Sequence, residues 1–158
     1  MKRSSNLNVS DDCELNSAPA GTAAVLSQGP HQLIEDQVER TPDSPALRMG
    51  LEQISYRELN YRSNRLAHFL LERSLGPEGL VGVCLDRSFD SIVSLLAILK
   101  AGKAYLPLDP KFPKERLSFM LADSEVPLVL ANSSTQRSLH ETSASVVLLD
   151  REAEPLSH

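Results

Sequence analysis

The sequence predicts an α/β fold built around a mostly parallel sheet. From Leu80 onward, short apolar runs of strand length alternate with helix-length segments, and this alternation requires crossover connections between parallel strands. The run Leu80–Leu85 is almost continuously apolar, which is typical of a strand buried on both faces. We therefore expect helices on both faces of the sheet. The predicted strands are Ala46–Met49 with a short partner at Gln53–Ile54, Leu80–Leu85, Ala104–Leu108, Leu128–Ala131 and Val146–Leu149.

Helices are predicted where apolar residues recur on one side and end signals flank them. Ser55 and Glu58 have the spacing of a capping box, in which the hydroxyl accepts from the Glu58 amide and the carboxylate reaches back to the Ser55 N–H. The following helix is expected to bury Leu71 and to stop at Gly76–Pro77. The other predicted helices are His31–Arg40, a largely buried Asp90–Ala101, Pro113–Asp123 with its proline in the first turn, and a weak Thr135–His140.

The chain divides by composition into a leader, a domain and a tail. Residues 1–29 are rich in Ser, Asn, Ala and Asp and lack apolar periodicity, so we expect a flexible, disordered leader. Residues 30–151 carry all the predicted helices and strands and are expected to form the folded part, with residues 152–158 as a tail.

Composition and charge exclude several classes of partner. The net charge is −5 without a Lys/Arg stripe or interleaved aromatics, which argues against nucleic acid. The sequence has no basic patch that would attract a membrane surface, and it has no run of roughly 18 apolar residues that could span a membrane. Cys13 and Cys84 have no metal-ligand spacing, so we expect a reducing, cytoplasmic location, with Cys84 as a small buried hydrophobe.

The run Leu99–Pro110 combines a helix end, a turn, a strand and a second turn. Lys100 is expected to complement the negative end of the helix dipole, and Gly102 to adopt a positive φ. Pro107 predicts an edge strand or a pairing stop, and Asp109 a turn. None of these side chains is placed for proton transfer or nucleophilic attack, so their residue types indicate a structural role.

The same run resembles the second core motif of adenylation domains from nonribosomal peptide synthetases, and Ile54–Asn60 resembles the first. Arg40–Ala46, Asn64–Ala67 and Phe112–Leu117 also match, in the same order. The resemblance covers about residues 31–150. Its second motif favours peptide synthetases over the acyl-CoA synthetase and luciferase branches, although a fragment of an acyl-CoA synthetase remains an alternative.

The resemblance implies amino-acid activation by the parent domain. In that family a carboxylate attacks the α-phosphate of ATP with Mg²⁺, and the acyl group then passes to a phosphopantetheine thiol. The two motifs belong to the scaffold of the large N-terminal subdomain. A Ser/Thr/Gly-rich phosphate loop with its lysine is expected after the last strand, and none occurs up to His158. We therefore expect an inactive N-terminal fragment that needs no cofactor of its own, and we assign it no catalytic, cofactor-binding or metal-binding residue.

Isolated polar residues give weaker signals. Ser133–Thr135 is rich in hydroxyls but lacks Gly and Lys, which indicates a loop or helix start. Asp86 and Asp90 flank a strand end, where α/β ligand sites occur, but Asp90 fits a capping or first-turn acid better than a metal ligand. His68 is expected on a helix surface. The other histidines stand alone in sequence: His31, His140 and His158.

Two alternatives remain open at this point. A half-sheet with an open edge and apolar surface could serve as a non-catalytic interaction module, or as the complementing half of a split synthetase. Its partners would be the missing remainder of the domain or other synthetase modules. A less favoured alternative is an independent flavodoxin-like nucleotide binder.

Overall fold

A computed structural model describes residues 29–73, 75, 79–139 and 142–151. The predicted tail lies outside them, as does the predicted leader apart from Gly29. The described elements, in chain order, are α1 (Pro30–Arg40), β1 (Pro45–Met49), β2 (Glu52–Ser55), α2 (Tyr56–Glu72), β3 (Leu80–Cys84), α3 (Phe89–Lys100), β4 (Ala104–Pro107), α4 (Lys114–Ser124), β5 (Leu128–Ala131), a 3₁₀ helix (Thr135–Ser138) and β6 (Ser145–Leu148).

Four strands form a parallel sheet in the order β4-β3-β5-β6. β3 pairs with β4 on one side and with β5 on the other, and β6 extends the sheet beyond β5. β1 and β2 form a separate antiparallel hairpin. The predicted α/β class and parallel sheet are confirmed, and each predicted strand exists within one or two residues of its expected bounds.

Two apolar layers cover the sheet, one on each face. Val81 and Val83 of β3 lie in a core shared with α2 and α3. Cys84 faces the opposite side, in a second core with Leu117 and Leu121 of α4. Because a strand turns successive side chains to opposite faces, an apolar run such as β3 needs cover on both sides. The predicted helices on both faces are thus confirmed.

The start and end of α2 differ from the sequence prediction. The Ser55 Oγ accepts from the Glu58 N–H at 3.2 Å, as expected, but the Glu58 carboxylate accepts from Arg62 at 2.6 Å. The helix ends at Glu72 and leaves through an extended Arg73, before Gly76–Pro77, which lie outside the described residues. Leu71 is 56% exposed, because it is rotated about 100° from the buried Leu70.

Three smaller corrections concern the other helices. Ile92 of α3 is exposed, so this helix is less buried than its composition predicted. α4 begins at Lys114 with Pro113 as its N-cap residue. A short 3₁₀ helix replaces the weak helix predicted from Thr135, because the Asn132 side chain accepts from the Thr135 N–H at 2.9 Å and tightens the turn.

The turn after α3 follows the sequence prediction. Gly102 has φ = 66°, a value that glycine adopts without strain. Pro107 lies on β4, which is an edge strand of the sheet in the described part of the chain. No helix among the described residues is both long and apolar enough to cross a membrane.

Gly82 tests the close packing of β3. A Cβ there would lie 2.9 Å from Val129 Cγ2 and 3.2 Å from Leu108 Cδ1, and both neighbours are buried. We expect Gly82→Ala to lower the free energy of unfolding by about 1–3 kcal/mol through overpacking. Gly50→Asn is a suitable control, since Gly50 has open space and a φ of 60° that asparagine accepts. Chemical denaturation of both variants measures the difference, and equal stabilities would contradict the packing constraint.

Candidate functional site

A cleft of about 710 Å³ lies at the carboxyl ends of β3 and β4, beside the first turns of α3. Ligands of open α/β sheets bind outside the carboxyl ends of the strands. In the order β4-β3-β5-β6 the strand order reverses between β3 and β5, so the cleft lies beside that point. Its position at the carboxyl ends makes the cleft the candidate site.

The charged residues of the cleft are mixed in sign. Asp86 and Asp109 line it together with Arg87 and Lys111. Asp109 Oδ1 accepts from the Lys111 N–H at 2.9 Å, which closes the predicted turn. This arrangement can bind a polar group or a polypeptide segment. Among the described residues, no group of three or more His, Cys, Asp or Glu side chains could hold a metal ion.

Serine, not aspartate, caps α3 at the edge of the cleft. The Ser88 Oγ accepts from the Ser91 N–H at 3.2 Å, and the Ser88 N–H donates to Ser91 Oγ at 3.4 Å. Asp90 lies in the first turn, where its charge complements the helix dipole. The expected first-turn position of Asp90 is confirmed.

The hydroxyl-rich segment Ser133–Thr135 connects strands. Thr135 Oγ1 donates to the Cys84 carbonyl at 2.6 Å and is buried. The Ser133 N–H donates to the Asp150 carboxylate at 3.1 Å. Hydrogen bonding from Ser133 lowers the pKa of Asp150. These bonds hold the carboxyl ends of β3, β5 and β6 together, and the predicted loop or helix start is confirmed.

Lys100 joins three helices. Its side chain is only 5% exposed, and Nζ donates to Glu35 of α1 and, at 2.8 Å, to Asn60 Oδ1 of α2. The sequence predicted only that Lys100 complements the dipole of α3. Its partners lie 65 and 40 residues away along the chain, so no local pattern could have indicated them.

Arg57 connects the start of α2 to the segment before β1. Its guanidinium donates to both Asp43 oxygens, at 3.0 and 3.2 Å, and its backbone N–H donates to the Pro42 carbonyl at 2.9 Å. The hydrogen bond from Arg57 and its charge hold the pKa of Asp43 below the usual value. Arg57 therefore joins the run Ile54–Asn60 to the run Arg40–Ala46.

The described histidines and cysteine give no reactive arrangement. His68 is exposed, as predicted. His31 lies half-buried in a recess of about 340 Å³ between α1 and α2, next to Lys100. Burial raises the pKa of the Cys84 thiol to about 11, which disfavours the nucleophilic thiolate. His140, His158 and Cys13 lie outside the described residues.

The Lys100 junction predicts a specific loss of stability. Lys100→Met keeps the aliphatic stem but removes the charged donor from Asn60 and Glu35. We expect the free energy of unfolding to fall by about 1–2 kcal/mol. The loss is limited because Glu35 is half exposed, so that solvent screens its ion pair with Lys100. Lys111→Met, at an exposed position, is the matched control with an expected change within about 0.5 kcal/mol. Equal denaturation midpoints for the two variants would argue against the junction.

The buried thiol predicts a pH dependence that can be measured in a Cys13→Ser background. The folded pKa of Cys84 is raised from 9.0 to about 11, so its contribution is fully present below pH 9.0 and is lost as pH rises through that window. We expect slow alkylation of the native protein near neutral pH and rapid alkylation in denaturant. Stability should fall over the same window, and Cys84→Ala should remove that part of the decline. Fast native alkylation would contradict the assignment.

The sequence matches a family model described as AMP-binding enzyme over residues 34–157. Tyrocidine synthase 3 of Brevibacillus parabrevis is 45% identical over 126 residues, which are 78% of this chain and 2% of that protein. This chain therefore spans a small part of the relatives that it matches.

Two solved structures resemble the fold. The nonribosomal peptide synthetase FmoA3, in an AMPPNP-bound form, superposes with a TM-score of 0.72 at 30% identity, over 78% of this chain and 14% of that one. The N-terminal subdomain of Klebsiella oxytoca NpsA superposes with a TM-score of 0.70 at 22% identity, over 78% of this chain and 32% of that one. The family match covers well over half of the sequence, and this chain belongs to the AMP-binding enzyme family.

Proposed function

We propose that residues 30–151 form the N-terminal portion of an adenylation domain whose activity is amino-acid activation for nonribosomal peptide synthesis. The observation that carries the proposal is the Asn60–Lys100 hydrogen bond of 2.8 Å. It joins Ile54–Asn60 to Leu99–Pro110, the two runs that resemble the first and second core motifs. The nonribosomal peptide synthetase FmoA3, which is also solved in an alpha-methyl-L-serine-AMP bound form, supports an activity on amino acids.

The proposed reaction uses ATP and Mg²⁺. An amino-acid carboxylate attacks the α-phosphate, which releases pyrophosphate and leaves an aminoacyl-AMP. A phosphopantetheine thiol of a carrier then takes the acyl group as a thioester, and AMP leaves. The AMPPNP-bound form of FmoA3 supports a nucleotide as substrate. An acyl-CoA synthetase is less well supported, because FmoA3 is a nonribosomal peptide synthetase.

The residues of this chain are proposed to provide the scaffold of that site. The sequence contains no Ser/Thr/Gly-rich loop with a lysine, so we assign the triphosphate contacts to polypeptide other than these 158 residues. The proposed partners of this chain are then the rest of the adenylation domain and neighbouring synthetase modules. A cytoplasmic location agrees with Cys84, which is a free, buried cysteine in the described part of the chain.

A second candidate is a non-catalytic module that complements a separately encoded half. The uncovered outer edges of the parallel sheet favour it, because the unpaired backbone groups of an edge strand can pair with another chain. The same surface is expected if the rest of the domain continues in the same polypeptide. The two candidates therefore differ in whether the remainder is covalently joined to this chain, and not in the surface that it contacts.

Amino-acid-dependent exchange of pyrophosphate into ATP separates these candidates. We expect no exchange from the 158-residue chain alone, because it supplies no phosphate loop. The full chain, joined through His158 to the segment that follows the matched residues in tyrocidine synthase 3, is expected to exchange pyrophosphate with at least one amino acid. The corresponding intact unit of that synthase is the positive control.

Exchange by the isolated chain would contradict the scaffold role. A joined protein that folds in one cooperative step and exchanges pyrophosphate with none of the amino acids would contradict the proposed activity.

A further inference from the structure

A groove of about 350 Å³ lies between the β1–β2 hairpin and the start of α3. We call it the hairpin groove. Its apolar lining comes from Leu47 and Met49 of β1 and from Phe89 and Ile92 of α3. Met49 and Ile92 keep 40% and 37% of their surface exposed. Part of the apolar lining is therefore in contact with solvent.

The charged residues that line the hairpin groove, Arg48 and Arg87, are both basic. The larger cleft at the carboxyl ends of β3 and β4 has lining residues of both signs, and so does the recess between α1 and α2. Two acids adjoin the hairpin groove without lining it, Glu52 on β2 and Asp90 in the first turn of α3. An apolar groove with two arginines is complementary to an apolar segment that carries carboxylates.

Both arginines are available for a new ion pair. Arg87 is exposed, and Arg48 Nη2 donates to the uncharged Gln53 Oε1 across the hairpin at 3.0 Å. The ion pairs found in the described part of the chain are made by other basic residues. An acidic segment in the groove would therefore gain contacts without breaking one of these pairs.

The leader of this chain contains a segment of the required chemistry. The segment Leu7–Leu15 carries three acids, Asp11, Asp12 and Glu14, and no basic residue. Its two terminal residues and Val9 are apolar. The family match begins at residue 34, so this segment belongs to the chain but not to the matched region.

The leader is also long enough to reach the groove. Gly29 is the N-cap residue of α1, and α1 contacts the end of α3 through Glu35 and Lys100. The path along α1 to this contact and back along α3 to Phe89 is about 40 Å at most, given the rise per helical residue and the spacing of packed helices. The roughly 14 residues from Leu15 to Gly29 can span about 46–50 Å.

We propose that the acidic leader segment, Leu7–Leu15, docks in the hairpin groove. Its carboxylates pair with Arg48 and Arg87, and its apolar side chains cover part of the apolar lining, which removes that surface from water. The proposal goes beyond amino-acid activation and does not depend on it. The competing occupants are a second copy of this chain and the acidic tail, residues 152–158, most of which lies within the family match.

A paramagnetic label on the leader tests the docking in the full 158-residue chain. Asn16→Cys in a Cys13→Ser background places the label next to the segment, while the buried Cys84 stays unlabelled. We expect the amide resonances of Met49 and Ile92 to broaden until the label is reduced, because relaxation by the label falls steeply with distance. The amides of α4, which packs on the opposite face of the sheet, are the internal control.

Salt separates an ion-paired contact from a purely apolar one. Raising the ionic strength from about 0.1 to about 1 M shortens the screening length from about 10 to about 3 Å. We expect the broadening at Met49 and Ile92 to weaken over this range. Broadening that stays constant would contradict the assigned charge pairing.

Charge reversal tests the groove side of the contact. Arg87→Glu is expected to lower the ratio of docked to free leader at least about twofold, because one attraction becomes a repulsion. Arg137→Glu is the matched control, since it makes the same charge change at an exposed position of the 3₁₀ helix, outside the groove. Equal broadening in the two variants would overturn the proposal.

Reversal on both sides identifies the occupant. The leader substitutions Asp11→Lys, Asp12→Lys and Glu14→Lys together should abolish the broadening when the groove is unchanged. Adding Arg48→Glu and Arg87→Glu should restore it at least in part, because opposite charges then face each other again. Loss of broadening in both backgrounds would assign the groove to another occupant, such as the tail.

Two further results would overturn the proposal. One is the absence of broadening at Met49 and Ile92 in the folded chain. The other is broadening that appears only between labelled and unlabelled molecules in a mixture, which would assign the groove to a second copy. If the full chain alone gives no folded spectrum, the same label is measured in the joined protein, and an unbroadened spectrum there counts against docking. Pyrophosphate exchange is scored separately, so its failure removes the proposed activity and leaves the docking result standing.

Discussion

The burial of β3 on both faces is the constraint on which the rest of the fold depends. Residues Val81–Cys84 are all buried, and the strand has hydrogen-bonded neighbours on both sides. A strand in this position needs apolar cover above and below the sheet. The crossovers through α3 and α4 supply it, and Gly82 leaves room for Val129 and Leu108 on the α4 side.

The two runs that resemble family motifs are parts of one contact. Asn60 ends the first run and Lys100 lies near the start of the second, and their side chains bond at 2.8 Å. Glu35 of α1 accepts from the same ammonium. A nearly buried lysine needs such partners, because an unpaired buried charge is strongly unfavourable. Packing and charge pairing therefore account for the contacts of Lys100 and Asn60.

The fold has a well-covered part around β5 and a less covered part beside β4. β5 is covered on both faces, and hydrogen bonds from Ser133 and Thr135 hold the ends of neighbouring strands. The cleft beside β4 has no comparable cover, and its charged residues are mixed in sign. Burial and strand-end hydrogen bonds are thus concentrated around β3 and β5, while an open cleft lies beside β4.

The sequence by itself determined the fold class, the strands and most helices, because apolar periodicity and capping residues act over a few positions. It also predicted the positive φ of Gly102, the edge-strand position of Pro107 and the burial of Cys84. These properties follow from backbone geometry or from side-chain size. It misplaced the end of α2 and the exposure of Leu71 and Ile92, since helix burial depends on the neighbours that each face meets. Only the tertiary structure placed Lys100 beside Glu35 and Asn60, formed the cleft and left the outer edge of β4 open. Those features join residues that are distant in sequence, and their positions are set by the packing of whole elements.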